Sequence, residues 1–340
     1  MARALIGKPD IVSDRFNEFF CNIATNLDAA IPQSDTDPQS YLHNIAPSRP
    51  FRLHPTTSDT VLFILHSLNN CGAGVDGVST KIVKMLSPCI VPCLTHLFNL
   101  CLLQGIFPSD FKKAIVVPIF KSGDRFTFTN YRPIAILPVI SKILEKIVYL
   151  QLSTFLTDQK LLYENQFGFR SNHSTYMPIS ILYDYATAAL RKKHLCAAIY
   201  LDLSKAFDTV NPDILLKKLT SYGVQGTSLE FFHSYLSGRS QVIKYNSLIS
   251  NSPKYNTLGV PQGSILGPLL FLLYINDIHN SSIAPQFLLF ADDTALLYSA
   301  PNLHDLQETI NNSLPEIANW LNSNRLTLNA KQNPLTNYSL

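Results

Sequence analysis

Hydrophobic residues recur along this chain with two different periods, which separate helical segments from extended ones. From residue 60 to 104 they lie three and four positions apart, the spacing of one face of a helix. The same spacing predicts helices over 141–156 and 178–193. Residues 114–120 are instead a short, continuous apolar run, which predicts a strand followed by a turn at 121–124. Helices therefore dominate the first half of the chain.

The second half contains more predicted strands and turns. Residues 197–203 predict a buried strand, and Asn211, followed by a proline, supplies an N-cap for a helix. A glycine-rich loop then leads into an apolar helix over 258–277. Two apolar segments flank an Ala-Asp-Asp turn at 291–293, which predicts a hairpin. This order predicts an α+β fold in which helices cover one face of an antiparallel sheet.

The first 60 residues have a different composition. A short apolar pattern that includes Phe16 and Phe20 precedes the stretch 31–50, which is rich in proline, serine, aspartate and threonine. Such a stretch predicts a linker or a loosely packed arm. We therefore expect residues 1–60 to form an N-terminal arm or linker.

Composition predicts a folded protein and permits a nucleic-acid partner. The chain has 340 residues, 46% of them hydrophobic and 15% charged, which is sufficient for one large core or two smaller ones. Its formal net charge is only +3, but seven basic and three acidic residues fall within 110–146. This basic segment indicates either a phosphate-binding surface or an ordinary solvated face.

Neither secretion nor membrane insertion is expected. The N-terminal residues lack the apolar core of a signal peptide. The most apolar run, Ile265–Ile275, is about eleven residues long, whereas a membrane span needs roughly twenty. We expect a soluble protein of the nucleus or cytoplasm. Cys89, Cys93 and Cys101 recur at helical spacing near His96, which favours buried free thiols on an apolar helix face over a zinc site.

Three carboxylates are the strongest candidates for chemistry. Asp202 lies in an otherwise apolar predicted strand, where burial of an unpaired charge would be costly. No basic residue of that strand can pair with it, whereas a divalent metal shared with Asp292 and Asp293 would compensate its charge. Mg²⁺ prefers such oxygen ligands, and a two-metal site supports in-line phosphoryl displacement. These residues predict a nucleotidyl-transfer site.

Five segments in this order resemble the reverse transcriptases of non-LTR retrotransposons, of the jockey-like or related clades. The resemblance covers about residues 10–330. The segments occupy residues 130–148, 164–175, 198–210, 258–278 and 287–297, and they contain, in this order, Asn-Tyr-Arg-Pro-Ile, Asn-Gln-Phe-Gly-Phe-Arg, Tyr-Leu-Asp-Leu, Gly-Val-Pro-Gln-Gly and Phe-Ala-Asp-Asp. One such motif alone would say little, but the ordered set is specific.

The resemblance implies a right-hand polymerase, with helical fingers over 61–177 and a palm over 178–340. It implies that Asp202, Asp292 and Asp293 bind two Mg²⁺ or Mn²⁺ ions and carry out catalysis. The implied partners are an RNA template, a DNA primer or target, and deoxynucleoside triphosphates (dNTPs), with no membrane. The oligomeric state stays open.

The same resemblance assigns residues to the incoming nucleotide. Phe207 matches the aromatic steric gate that excludes a 2′-hydroxyl, although a core aromatic has the same pattern. Gln262 matches a residue that contacts the nucleotide, and Gly263 matches one that lets the backbone come close to it; a simple turn glycine is the alternative. Asp208 is expected to cap the helix that follows.

Basic side chains of the fingers are implied to hold the triphosphate. They are Lys121, Arg132 and Arg170, of which arginine suits bidentate phosphate contact and lysine a point charge. For Arg132, a surface position in an extended loop is the alternative.

The pattern departs from the family after the Leu-Thr-Leu-Asn run that ends at Asn329. The family has a Lys-Thr pair where Gln332 and Asn333 stand, and Lys331 lies one place early. We therefore expect a truncated palm without the thumb and primer-grip hairpin, and without an upstream endonuclease domain.

Two alternatives to an active reverse transcriptase remain. A viral-type RNA-dependent RNA polymerase would use Asp202 and Asp208 as its pair of acids, but Phe207 and Gln262 argue against it. The other alternative is a catalytically inactive fragment, or an RNA-binding relic of such an element.

Overall fold

The computed structural model describes residues 9–43, 45, 47–70 and 72–329, which fold as mixed helices and sheets. The α-helices are α1 (Pro9–Ala30), α2 (Ser58–Ser67), α3 (Thr80–Met85), α4 (Ser87–Gln104), α5 (Val139–Asp158), α6 (Tyr176–Arg191), α7 (Pro212–Ser221), α8 (Thr227–Leu236), α9 (Gly267–Ile275) and α10 (Leu303–Ser323). The strands are β1 (Lys113–Phe120), β2 (Tyr131–Ile136), β3 (Leu195–Leu201), β4 (Arg239–Tyr245), β5 (Leu248–Ile249), β6 (Lys254–Asn256), β7 (Gln286–Phe290) and β8 (Asp293–Ala300). The predicted α+β class is confirmed.

Most of the predicted elements form close to their expected bounds. The 60–104 segment folds as α2, α3 and α4, whose inner faces pack in the main core with α5. Asn211 caps α7 because its Oδ1 accepts hydrogen bonds from the N–H groups of Asp213 and Ile214, at 2.9 and 3.2 Å. Local signals were therefore sufficient for these helices, whereas α1 and α8 were not predicted.

A three-stranded antiparallel sheet in the order β3-β8-β7 occupies the C-terminal half. Both of its faces are covered: Leu296 packs in the main core with α10, whereas its neighbour Leu297 faces a smaller cluster that includes α6. The expectation of helices on one face was wrong. Adjacent residues of a strand point to opposite faces, and both of these leucines are fully buried.

A second sheet, in the order β2-β1-β4-β5, packs against α1. Strand β4 runs parallel to β1, with Lys113 opposite Ser240, and β6 pairs with β4. Helix α1 packs against this sheet through Phe16 and Phe20, which meet Tyr131 and other aromatic rings. The 1–60 segment thus contains a long packed helix. Its polar stretch is also held, since Ile31 and Leu42 are buried.

A buried ion pair joins two helical segments beneath the sheet. Lys218 Nζ lies 2.6 Å from Asp277 Oδ1 and 2.6 Å from the Tyr274 carbonyl oxygen, and both charged side chains are fully buried. The ammonium group also lies 5.1 Å from the centre of the Trp320 ring. Because each charge compensates the other, removal of one would leave the second unpaired in the core.

One helix among the described residues, α4, is long and apolar enough by length and composition to cross a membrane, although a core helix can meet the same test. The most apolar run of the sequence, Ile265–Ile275, contains the shorter, buried helix α9. About a third of α4 is buried in the protein. Cys89 and Cys93 are exposed on it, so the expectation of buried thiols holds only for Cys101.

Candidate active site

A two-residue turn between β7 and β8 presents Asp292, and Asp293 is the first residue of β8. Phe290 pairs with Asp293 across the hairpin, as predicted. Ala291 begins the turn with φ of +57° and is almost fully buried. A left-handed non-glycine residue costs free energy and persists only where its surroundings impose it. The turn is therefore held by contacts outside the hairpin.

Those contacts come from the segment 165–168. Gln166 Oε1 accepts hydrogen bonds from the N–H groups of Ala291 and Gly168, at 2.9 and 2.8 Å. A Cβ on Gly168 would lie 2.1 Å from the Ala291 nitrogen, so only glycine permits this approach. Leu289 exchanges backbone hydrogen bonds with the same segment. Gln166 was not among the predicted site residues, although it lies in one of the matched motifs.

Asp202 follows directly after β3, where Leu201 pairs with Thr294. The next position along this register brings Asp202 beside Asp293. Asn329 fixes the carboxylate, since its Nδ2 donates to Asp202 Oδ2 at 2.9 Å and its N–H donates to the Asp202 carbonyl at 2.8 Å. Strand β3 is an edge strand and partly exposed, so the expected burial of Asp202 was wrong. Its need for a cation therefore does not follow from burial.

The three carboxylates interact electrostatically. Partial burial raises the pKa of Asp293 above its usual range, and the charges of Asp292 and Asp202 raise it further. Within the described part of the chain, no lysine, arginine or histidine forms an ion pair with any of them. No three His, Cys, Asp or Glu side chains there converge closely enough to hold a metal ion in this conformation.

Phe207 lies in an aromatic group with Phe169 and Phe271. Its ring stacks on Phe271, with centroids 4.6 Å apart, and meets Phe169 edge to face at 5.9 Å. Phe169 follows Gly168, which touches the Asp292 turn. One segment therefore contacts both the acidic turn and the predicted steric gate, and the ring of Phe207 is supported from two sides.

The Gln262 loop lies against the loop that follows β3. Val260 donates its N–H to the Phe207 carbonyl at 2.8 Å, and Gly259 donates to the Val210 carbonyl at 2.7 Å. Gln262 Nε2 donates to Asp208 Oδ1 at 2.9 Å. Asp208 is therefore not a helix cap, because Asn211 performs that role and the Asp208 carboxylate accepts from Gln262 instead.

Gly263 approaches the backbone of β2. A Cβ at this position would lie 2.4 Å from the Ala135 carbonyl oxygen, and φ is +122°. The glycine is therefore required by a protein contact, whatever its relation to a nucleotide. Buried Glu145 of α5 holds the end of the same loop, since its Oε2 accepts from the N–H groups of Ile265 and Leu266 at 2.8 and 3.1 Å. Burial raises the pKa of Glu145.

A basic cluster lies next to these loops. Arg132 is exposed on β2 opposite Ile119, and Lys121 follows β1 and is also exposed. Lys205 adds a third cation that the sequence prediction missed. Burial lowers the pKa of Lys205, as do the charges of Lys121 and Arg132, while Asp208 opposes the shift. Because the charges of Lys121 and Arg132 act on Lys205, an anion bound among the three cations would relieve their repulsion.

Arg170 is placed differently from these cations. Its Nη1 donates to the carbonyl oxygens of Tyr163 and Gln166, at 2.9 and 3.0 Å. The guanidinium group thus braces the loop that supports the acidic turn. Its predicted contact with a triphosphate stays a prediction. The predicted departure at Lys331 and Gln332-Asn333 lies outside the described residues.

Comparison with known proteins places this geometry in a family. Residues 119–333 match the family described as reverse transcriptase (RNA-dependent DNA polymerase). The chain belongs to the reverse transcriptase family. The match contains both the acidic turn and Asp202, together with the Gln262 loop and most of the basic segment. Helix α1 and helices α2 to α4 precede it.

Curated relatives of this reverse transcriptase chain come from non-LTR retrotransposons, which confirms the predicted kinship. The chain is 31% identical over 261 residues, 73% of its length, to the probable RNA-directed DNA polymerase from transposon BS of Drosophila melanogaster. It is 29% identical over 79% of its length to that from transposon X-element of the same species. The RNA-directed DNA polymerase from mobile element jockey of Drosophila funebris is 27% identical over 86%. The chain spans 28%, 30% and 33% of these relatives.

Proposed function

We propose that the chain supplies the nucleotide-polymerising part of an RNA-directed DNA polymerase of a non-LTR retrotransposon. The observation that carries this proposal is the register that sets Asp202 beside the Asp292-Asp293 turn. Family membership supports it, since its relatives are named as RNA-directed DNA polymerases. In this assignment residues 61–177 are the fingers, residues 178–340 the palm of a right-hand polymerase, and residues 1–60 an N-terminal extension.

Asp202, Asp292 and Asp293 are assigned as ligands of two Mg²⁺ or Mn²⁺ ions. The donor set fits, because hard divalent cations take carboxylate oxygens and these acids form no ion pair among the described residues. When bound, such ions lower the barrier by stabilising the attacking and leaving oxygens of an in-line displacement. Asn329 orients Asp202, and Gln166 fixes the turn that carries Asp292.

The remaining side chains are assigned to the dNTP. Lys121, Arg132 and Lys205 neutralise its triphosphate, which favours binding before any bond is formed. Phe207, supported by Phe271, excludes a 2′-hydroxyl by contact with the sugar. Gln262 contacts the nucleotide from the opposite loop. An RNA template and the 3′-hydroxyl of a DNA primer complete the proposed substrates.

Primer extension on an RNA template tests this function. With Mg²⁺ or Mn²⁺ the chain should extend a DNA primer with dNTPs and reject ribonucleotides. Substitution of Phe207 by valine should admit ribonucleotides, because the smaller side chain leaves room for the 2′-hydroxyl. Preference of the wild type for ribonucleotides would favour an RNA polymerase. RNA binding that weakens steeply with salt, without extension, would favour the inactive relic.

A further inference from the structure

We propose that Asp208 is a positioning residue that orients the Gln262 side-chain amide toward the incoming nucleotide. The inference rests on the proposed function, since it explains how one assigned contact of that site is held. Asp208 was not expected to serve the site. Its carboxylate nevertheless lies at the interface of the two loops that carry Phe207 and Gln262.

The backbone around Asp208 fixes this geometry from both sides. Gly259 has φ of +87°, and a Cβ there would lie 2.7 Å from the Asp208 carbonyl oxygen. The hydrogen bonds from Gly259 to Val210 and from Val260 to Phe207 run on either side of Asp208. The two loops are thus locked together, so the carboxylate meets the Gln262 side chain in a defined position.

The chemistry of the pair determines which end of the amide faces inward. An ionised carboxylate only accepts hydrogen bonds, so the amide nitrogen of Gln262 must face it. The observed bond, Nε2 to Asp208 Oδ1 at 2.9 Å, has this polarity. Gln262 Oε1 then accepts no hydrogen bond from the described part of the chain. The pair therefore presents an acceptor to a hydrogen-bond donor of the nucleotide.

The Asp208 carboxylate is only half satisfied by hydrogen bonds in the fold. Its Oδ2 is buried without a hydrogen-bond partner among the described residues. No cation forms an ion pair with the carboxylate there, although the charge of nearby Lys205 partly offsets its burial. A buried, half-satisfied carboxylate is costly, and such a group in a native structure calls for a functional reason. Control of the Gln262 amide supplies one.

Rescue by an isosteric acceptor tests the proposal. Asp208→Asn keeps an oxygen for Gln262 Nε2, whereas Asp208→Ala and Asp208→Leu remove it, and leucine fills the space if alanine fails to fold. We expect kcat/KM for dNTPs to fall about tenfold or more in the Ala and Leu variants, mainly through KM, and to stay within about threefold in Asp208→Asn. Asp184→Asn, at an exposed position of α6, is the matched control.

A double-mutant cycle with Gln262→Ala separates orientation from a general structural effect. Asp208→Leu should change kcat/KM by less than about twofold on the Gln262→Ala background, since no amide remains to be oriented. Additive losses would overturn the proposal. An Asp208→Asn variant as impaired as Asp208→Leu would overturn it as well.

A readout without catalysis keeps this test separate from the proposed function. The side-chain amide signal of Gln262 in an NMR spectrum can be assigned by its loss in Gln262→Ala. We expect Asp208→Leu to shift this signal and to accelerate its hydrogen exchange. An unchanged signal would overturn the inference, whereas a wild type that extends no primer would overturn only the proposed function.

Discussion

Replacement of Asp208 by asparagine should alter the pH dependence of stability. Burial raises the pKa of Asp208 from 3.8 to about 6, while the Gln262 hydrogen bond and the Lys205 charge oppose the shift. Between about pH 4 and 6 the folded chain therefore binds more protons than the unfolded chain. The free energy of unfolding contributed by this group falls as pH rises through that window.

The magnitude follows from the size of the shift. With a shift of about two pKa units, the wild type loses roughly 2 kcal/mol between pH 4 and pH 7.5. The asparagine side chain in Asp208→Asn does not titrate in this pH range. The stability of Asp208→Asn relative to wild type should therefore be about 2 kcal/mol greater at pH 7.5 than at pH 4, whatever constant offset the substitution brings.

Urea unfolding, followed by circular dichroism at several pH values, measures this difference. Because the other titrating groups are common to both proteins, subtraction of the two curves isolates Asp208. The free energy of unfolding of the control, Asp184→Asn, should depend on pH in the same way as that of the wild type. If the free energy of unfolding of Asp208→Asn shows the same pH dependence as that of the wild type from pH 4 to 7.5, Asp208 is not a buried carboxylate and the reasoning is refuted.

Two further substitutions test contacts elsewhere. Lys218→Met should destabilise the protein by about 3–5 kcal/mol in urea unfolding, because Asp277 is left charged in the core. The control, Lys217→Met at the exposed neighbouring position, should have little effect. Equal destabilisation by both substitutions would contradict the Lys218–Asp277 ion pair. Gly168→Ala should reduce primer extension at least about tenfold with unchanged circular dichroism, because its Cβ displaces the acidic turn. Gly72→Ala is the control, because a Cβ at Gly72 would contact no other atom. Full activity of Gly168→Ala would contradict the proposed support of the acidic turn by residues 165–168.

The sequence was sufficient where the signal is local. Asn211 before a proline predicts the start of α7, and two apolar segments around three small or acidic residues predict the β7–β8 hairpin. In both cases the deciding atoms lie within a few residues of one another, so composition and spacing contain the necessary information. The acidic turn could be found in this way.

The rest of the site depends on contacts between distant segments. Gln166 and Ala291 are 125 residues apart, and Asp208 and Gln262 are 54 residues apart. Neither pair has a periodic signature. Strand β4 was missed because it carries polar residues such as Gln241 and pairs in parallel with β1, far away in the chain. The burial of Asp202 was misjudged because an apolar strand sequence does not show whether the strand lies at an edge.

The most direct test of the central claim compares the wild type with Asp292→Asn in primer extension on an RNA template. With dNTPs and Mg²⁺ the wild type should add nucleotides to the primer. Asp292→Asn should retain the fold and RNA binding. Its extension rate should fall by about two orders of magnitude or more, because an amide nitrogen replaces one carboxylate oxygen and the negative charge is lost. Equal extension by both proteins would contradict the assignment of this turn as the catalytic centre.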